Sequence, residues 1–149
     1  SNVMAQYPEQ KLKKDWIYAP ITPEIVKWTE SFGMFLCAYE EEKPLKKAMT
    51  TGQLRKFFGE IKRIEADVEK YKADVVMLKP LLAYAVGRDK NNRGINKTRI
   101  EEFTEEVTKA IDAVLAGNDL KANYKNFVNI LESIVAYHKR YGGKENSTN

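Results

Sequence analysis

Thr50-Thr51-Gly52-Gln53-Leu54-Arg55-Lys56-Phe57-Phe58-Gly59-Glu60-Ile61 is the stretch that decides the fold. Thr50 and Gln53 stand three residues apart. At that spacing a threonine hydroxyl accepts from the third amide of a helix, and the glutamine side chain reaches back to the threonine amide. Leu54, Phe57, Phe58, Ile61, Ile64, Val68 and Tyr71 then recur every three or four residues. That spacing gathers side chains on one face of an α-helix and scatters them over both faces of a strand.

The same logic extends in both directions. Upstream, Thr22-Pro23-Glu24 combines a threonine cap, a proline at the first helical position and an acid in the first turn. Ile25, Trp28, Phe32, Phe35, Leu36 and Tyr39 follow at helical spacing, and Glu40-Glu41-Glu42-Lys43-Pro44 ends the run. Downstream, an apolar third helix is expected over 73–88, with a kink or restart at Pro80 and an end at Gly87. Thr98-Arg99-Ile100-Glu101 repeats the capping-box spacing before Ile100, Phe103, Val107, Ile111, Val114 and Leu115. A fifth helix begins at Asn118 or Asp119, carries Tyr124, Phe127, Val128, Leu131, Ile134, Val135 and Tyr141, and stops at Gly142-Gly143. No strand alternation, hairpin signal or internal repeat occurs. The expected fold is all-α, a compact bundle of about five helices in a single domain over 22–143. Phe57, Phe58, Ile61, Tyr84, Phe127, Leu131 and Val135 are the expected core. Residues 1–21 are expected to form a flexible N-terminal arm, opened by a cloning remnant at Ser1-Asn2 and pinned at its end by Trp16, Ile17 and Tyr18. Residues 144–149 are expected to be a disordered tail.

Composition narrows the function classes. At 149 residues the chain can bury one core, and 43% hydrophobic with 31% charged residues describes a soluble globular domain. A single cysteine, Cys37, excludes an internal disulfide and suits the reducing cytoplasm. No apolar run reaches the ~18 residues of a membrane span, and no secretory leader opens the chain. Catalytic signals are missing as well. The lone histidine, His138, lies on an amphipathic helix between Tyr137 and Tyr141, where packing outweighs catalysis. A nuclease built on His138 with Lys139 or Arg140 is the enzymatic alternative. Cys37 lacks a histidine partner, metal-ligand spacing is absent, and Glu101-Glu102 with Glu105-Glu106 read as a solvated face. No catalytic residue, metal or cofactor is therefore expected.

Charge is the remaining signal. The net excess is only +4, yet Gly87–Arg99 alone holds five bases (Arg88, Lys90, Arg93, Lys97, Arg99) against Asp89. A cationic loop rich in Gly and Asn suits a polyanion, because amides approach phosphates while Arg and Lys neutralise them. A solvated helix connection is the plainer alternative. Gly52–Arg63 adds four bases against one acid, and Tyr137–Lys144 adds Lys139, Arg140 and Lys144 with no acid. By contrast, Ile100–Asp119 holds six acids and one lysine. On the second helix Arg55, Gly59, Lys62 and Ala66 share one line, a smooth cationic strip or a salt-bridged solvent face. The aromatic residues sit on apolar stripes, so base stacking is not indicated. A polyanion site requires the three basic patches to converge in space.

Three stretches resemble one family. They are Thr50–Phe58, with its Thr-Thr-Gly-Gln-Leu-Arg start, then Leu78-Lys79-Pro80-Leu81-Leu82-Ala83-Tyr84-Ala85-Val86-Gly87-Arg88, then Phe127–Lys144 with its closing Tyr141-Gly142-Gly143-Lys144. In order and kind they are similar to the small subunit of the type III-A CRISPR effector, the Csm complex. The type III-B small subunit is a nearer alternative than a helical adaptor that binds only protein. The resemblance implies a helical, non-catalytic subunit stacked in copies. Its implied partners are guide and target RNA, contacted through the backbone, other CRISPR effector subunits and copies of itself, with no membrane. Mapped onto this chain, the expected RNA-binding residues are Arg55, Lys56, Lys62, Arg88, Arg93, Lys97, Arg99, Lys139, Arg140 and Lys144. Arg55 and Arg88 are the expected principal phosphate contacts, because guanidinium offers a planar two-pronged donor.

Overall fold

Local caps start most of the helices in the computed structural model, which describes residues 6–42, 47–90 and 98–143. The elements are α1 (Pro23–Leu36), α2 (Thr51–Glu65), α3 (Lys72–Lys90), α4 (Ile100–Ala116) and α5 (Leu120–Arg140). Among the described residues there is no strand, only an isolated bridge between Lys47 and Thr98. Thr22 Oγ1 accepts from the Ile25 amide at 3.3 Å ahead of Pro23. The box at α2 is complete: the Gln53 amide donates to Thr50 Oγ1 at 3.0 Å, and the Thr50 amide to Gln53 Oε1 at 2.9 Å. Asp119 caps α5 through the Ala122 amide at 3.1 Å.

Three boundaries depart from the expectations. The box expected at Thr98–Glu101 does not start α4. Arg99 is its N-cap without a side-chain cap bond, and the Thr98 amide donates to both oxygens of the buried Asp89 carboxylate at 3.0 and 2.9 Å. That bond draws the end of α3 inward, so α3 runs past Gly87 to Lys90. It also runs through Pro80 as one helix. A proline removes one backbone bond, and burial of Val75, Leu78 and Leu82 on the opposite face holds the turn around it. The apolar stripe of α2 ends at Glu65. Ala66–Tyr71 forms a turn, with Asp67 N donating to Ile64 O at 3.1 Å, and Val68 is buried from there.

The arm expected to be loose contributes to the core over its described part. Leu12, Trp16 and Ile17 are buried, and Lys14–Ile17 forms a short 3₁₀ turn. Several of its polar groups find partners on the helices, as burial demands. The Leu12 amide donates to Glu106 Oε1 at 2.9 Å, Trp28 Nε1 to Gln10 O at 2.7 Å, and Asn126 Nδ2 to Ile17 O at 2.8 Å. The Tyr7 hydroxyl also donates to Glu106. Glu106 is thus an interior acceptor, 1% exposed, and not part of a solvated face.

Chain direction sets where the helix ends gather. Thr29 and Ser133 share a hydrogen bond at 2.6 Å, and Cys37 Sγ donates to Tyr141 O at 3.4 Å. Those pairs have the same sequence offset, so α1 and α5 run parallel. Their axes approach at Gly33, where a Cβ would lie 2.9 Å from Tyr137 Cβ. α2 runs antiparallel to α5, with Tyr124 Oη donating to Ile61 O at 2.8 Å. α3 runs antiparallel to α4, with Lys79 on Asp112 at 2.7 Å beside the Asp89–Thr98 bond. Phe57 meets Phe103 edge-on at 5.6 Å between centroids. Of the expected core, Phe57, Ile61, Phe127 and Leu131 are buried, while Phe58 and Val135 are half-buried against it. Tyr84 is the exception at 68% exposed. Two residues past buried Leu82 is about 200° around a helix, which turns Tyr84 to solvent.

Candidate nucleic-acid interface

With α1, α3 and α5 ending where α2 and α4 begin, five helix termini meet at one pole. The contacts between them are specific. Met49, just before α2, donates its amide to Leu36 O at the end of α1 at 2.7 Å. His138, in the last turn of α5, donates Nε2 to Met49 O at 2.5 Å. Gln53 Nε2 reaches Thr98 Oγ1 at 3.4 Å. After α5, Gly142 takes a φ of 102°, a left-handed conformation that suits glycine, and the Gly143 amide returns to His138 O at 2.8 Å.

The basic patches that lie far apart in sequence come to this pole together. Arg55 and Lys56 are exposed in the first turns of α2, Arg88 near the end of α3, and Lys139 and Arg140 in the last turn of α5. The Arg140 guanidinium lies 5.1 Å from the Tyr141 ring centroid, a cation–π contact at the surface. Lys56 and Arg88 share one cleft of about 350 Å³ between α2, α3 and the start of α4. Neither has an ion-pair partner among the described residues. Asp89 faces inward to Thr98, so it does not neutralise its neighbour Arg88.

The other expected contacts are placed differently. Arg55, Gly59 and Lys62 do form an exposed line on α2, with exposed Ala66 just past its end. Its far end is ion-paired, however, with Lys62 on Glu65 at 2.8 Å, and the hydrogen bond that Lys62 donates to Glu65 raises the Lys62 pKa. Arg99 is only 5% exposed. Its guanidinium donates to Phe35 O at 2.6 Å, pairs with Glu41 and sits 4.3 Å from the Phe35 ring centroid. A buried guanidinium held on three sides braces α4 against α1 and is withdrawn from the surface. Arg93, Lys97 and Lys144 lie outside the described residues.

The lone histidine and the lone cysteine are both buried behind this surface. Burial, and to a lesser degree Lys139, lowers the His138 pKa, so the ring is neutral and enclosed at 1% exposure. Burial pushes the Cys37 thiol up to about 11, which leaves little thiolate at neutral pH. No group of three or more His, Cys, Asp or Glu residues is placed to hold a metal among the described residues. No helix among them is long and apolar enough to cross a membrane. Sequence reasoning missed Asp89, Glu106 and Tyr84. None left a signal in the sequence, since each is set by contacts between distant segments or by the phase of a helix that is apolar around most of its circumference.

The described residues form a small helical bundle with cations gathered at one pole and the lone histidine and cysteine enclosed. The family model described as Csm2 Type III-A matches residues 33–144, about three quarters of the chain, and the chain belongs to that family. It is a small subunit of the type III-A CRISPR effector, the Csm complex, and its partners are other subunits of that complex. Searches among curated proteins and among solved structures give no significant match.

Proposed function

We propose that this subunit is non-catalytic and contacts the guide–target RNA backbone through the pole where α2 and α4 begin. The observation that carries the reading is the convergence of Arg55, Lys56, Arg88, Lys139 and Arg140 from three separate helices. Cations on one rigid end meet the regular phosphate spacing of a duplex without reading bases, and base pairing supplies the sequence specificity in RNA-guided effectors. The acidic exposed groups of α4, among them Glu105 and Asp112, lie along a flank and suit contact with neighbouring subunits, including copies of this chain stacked side by side. The assembly works in the cytoplasm, where the reducing environment keeps Cys37 a thiol.

The test is Arg55→Ala with Arg88→Ala in the assembled complex. RNA affinity should fall and its salt slope should flatten, by about 0.9 per lost phosphate contact on a duplex. Unchanged affinity with assembly intact removes both residues from the RNA site. Loss of assembly without RNA assigns them to a subunit interface. RNA turnover by the purified chain, abolished by His138→Ala, would restore the nuclease alternative.

A further inference from the structure

From the cleft between α2, α3 and the start of α4 we infer a pocket for one unpaired nucleotide, whose base stacks on Tyr84 while its phosphate sits between Lys56 and Arg88. This rests on the RNA-contact reading above and adds a base subsite to it. Tyr84 exposes 68% of its surface on a helix whose opposite face is core, and it stands one turn before Arg88. Both residues line the same cleft as Lys56. An exposed aromatic ring in one cleft with two cations that have no ion-pair partner among the described residues is the arrangement that single-stranded nucleic acids use: the ring stacks a base, and the cations neutralise the adjoining phosphate. The floor is apolar, with Phe57, Leu82 and Phe103 nearly or wholly buried. At about 350 Å³ the cleft falls in the range of small-ligand pockets and accommodates a purine or pyrimidine ring.

Base identity goes unread in this pocket. Two polar side chains that line it, Gln53 and Asp89, are held by partners within the bundle. Gln53 Oε1 accepts from the Thr50 amide and its Nε2 meets Thr98, while both Asp89 oxygens accept from the Thr98 amide. The pocket therefore accepts any base that is free of its complement, which a continuous duplex does not present.

The probe is a ten-nucleotide single-stranded RNA with one central 2-aminopurine, titrated onto the full chain, alongside the same RNA with an abasic site at that position. Binding should quench 2-aminopurine fluorescence, and the abasic RNA should bind about thirtyfold more weakly, the middle of the range expected for one stacked base. Tyr84→Phe should keep both effects. Tyr84→Leu, with the melting temperature checked, should lose the quench and bring the two RNAs to equal affinity. Equal affinity of both RNAs for the unaltered chain, without quenching, overturns the pocket and leaves backbone contact standing. No binding of either RNA overturns both readings. If Tyr84→Leu retains RNA binding and quenching but disrupts subunit assembly, the cleft holds a protein side chain and the nucleotide pocket is refuted.

Discussion

Arg88 and Arg99 bound the same basic segment and meet opposite fates. Arg88 leaves α3 on the solvent side and lines the cleft with Lys56. Arg99 enters α4 from the inside and is enclosed by Phe35 and Glu41. One cation is available to a phosphate, while the other stabilises the meeting of α1 with α4. Counting charge along a loop treats the two alike. Helix phase and the Asp89–Thr98 bond separate them: Arg88 lies on the exposed side of α3, whereas Arg99 follows Thr98, which that bond ties to the buried Asp89.

The largest expected effect tests the interior member. Arg99→Ala strands Glu41 and the Phe35 carbonyl and should cost about 3–5 kcal/mol in denaturant unfolding. Arg88→Ala should change stability by less than about 0.5 kcal/mol. Equal losses from the two would erase the distinction.

Aromatic residues offer a second contrast on the two sides of the same cleft. Phe57→Ala opens a cavity beside Phe103 and should cost about 3–5 kcal/mol. Tyr84→Ala, on the exposed side, should leave the melting temperature nearly unchanged. Where α1 and α5 run closest, Gly33→Ala forces a Cβ against Tyr137 and the His138 amide, and should cost about 1–3 kcal/mol by overpacking. A gain in stability there would mean that the helices separate easily.

The smallest effect comes from acid. The folded His138 pKa lies below its ordinary value of 6.5, chiefly because burial disfavours the charged ring. Below about pH 6.5 the unfolded chain binds that proton while the fold resists it. The His138 contribution is therefore complete above that pH and is lost as pH falls toward the lower folded value. Melting curves between pH 7.5 and 5 should show a decline that His138→Gln reduces. An identical pH profile in the variant would show that His138 does not carry this acid sensitivity.

Much of the fold was legible because its signals are local. The caps at Thr22, Thr50 and Asp119 act within one turn of themselves, and the apolar stripes of α1, α2, α4 and α5 follow helical spacing directly. The three basic motifs were legible as charge. Their convergence was not, because it depends on parallel α1 and α5 and on α3 folding back along α4. α3 was the hardest element to read. It is apolar around most of its circumference, so periodicity alone does not tell Leu82 in the core from Tyr84 in solvent. The packed arm over 6–21 and the buried Glu106 were hidden for the same reason, since each depends on a partner some ninety residues away. By itself, then, the sequence determined five helices, their approximate bounds and three cationic stretches, all set by nearest neighbours along the chain. Tertiary structure alone decided which charges are braces and which face solvent, because burial and pairing are properties of contacts between distant segments.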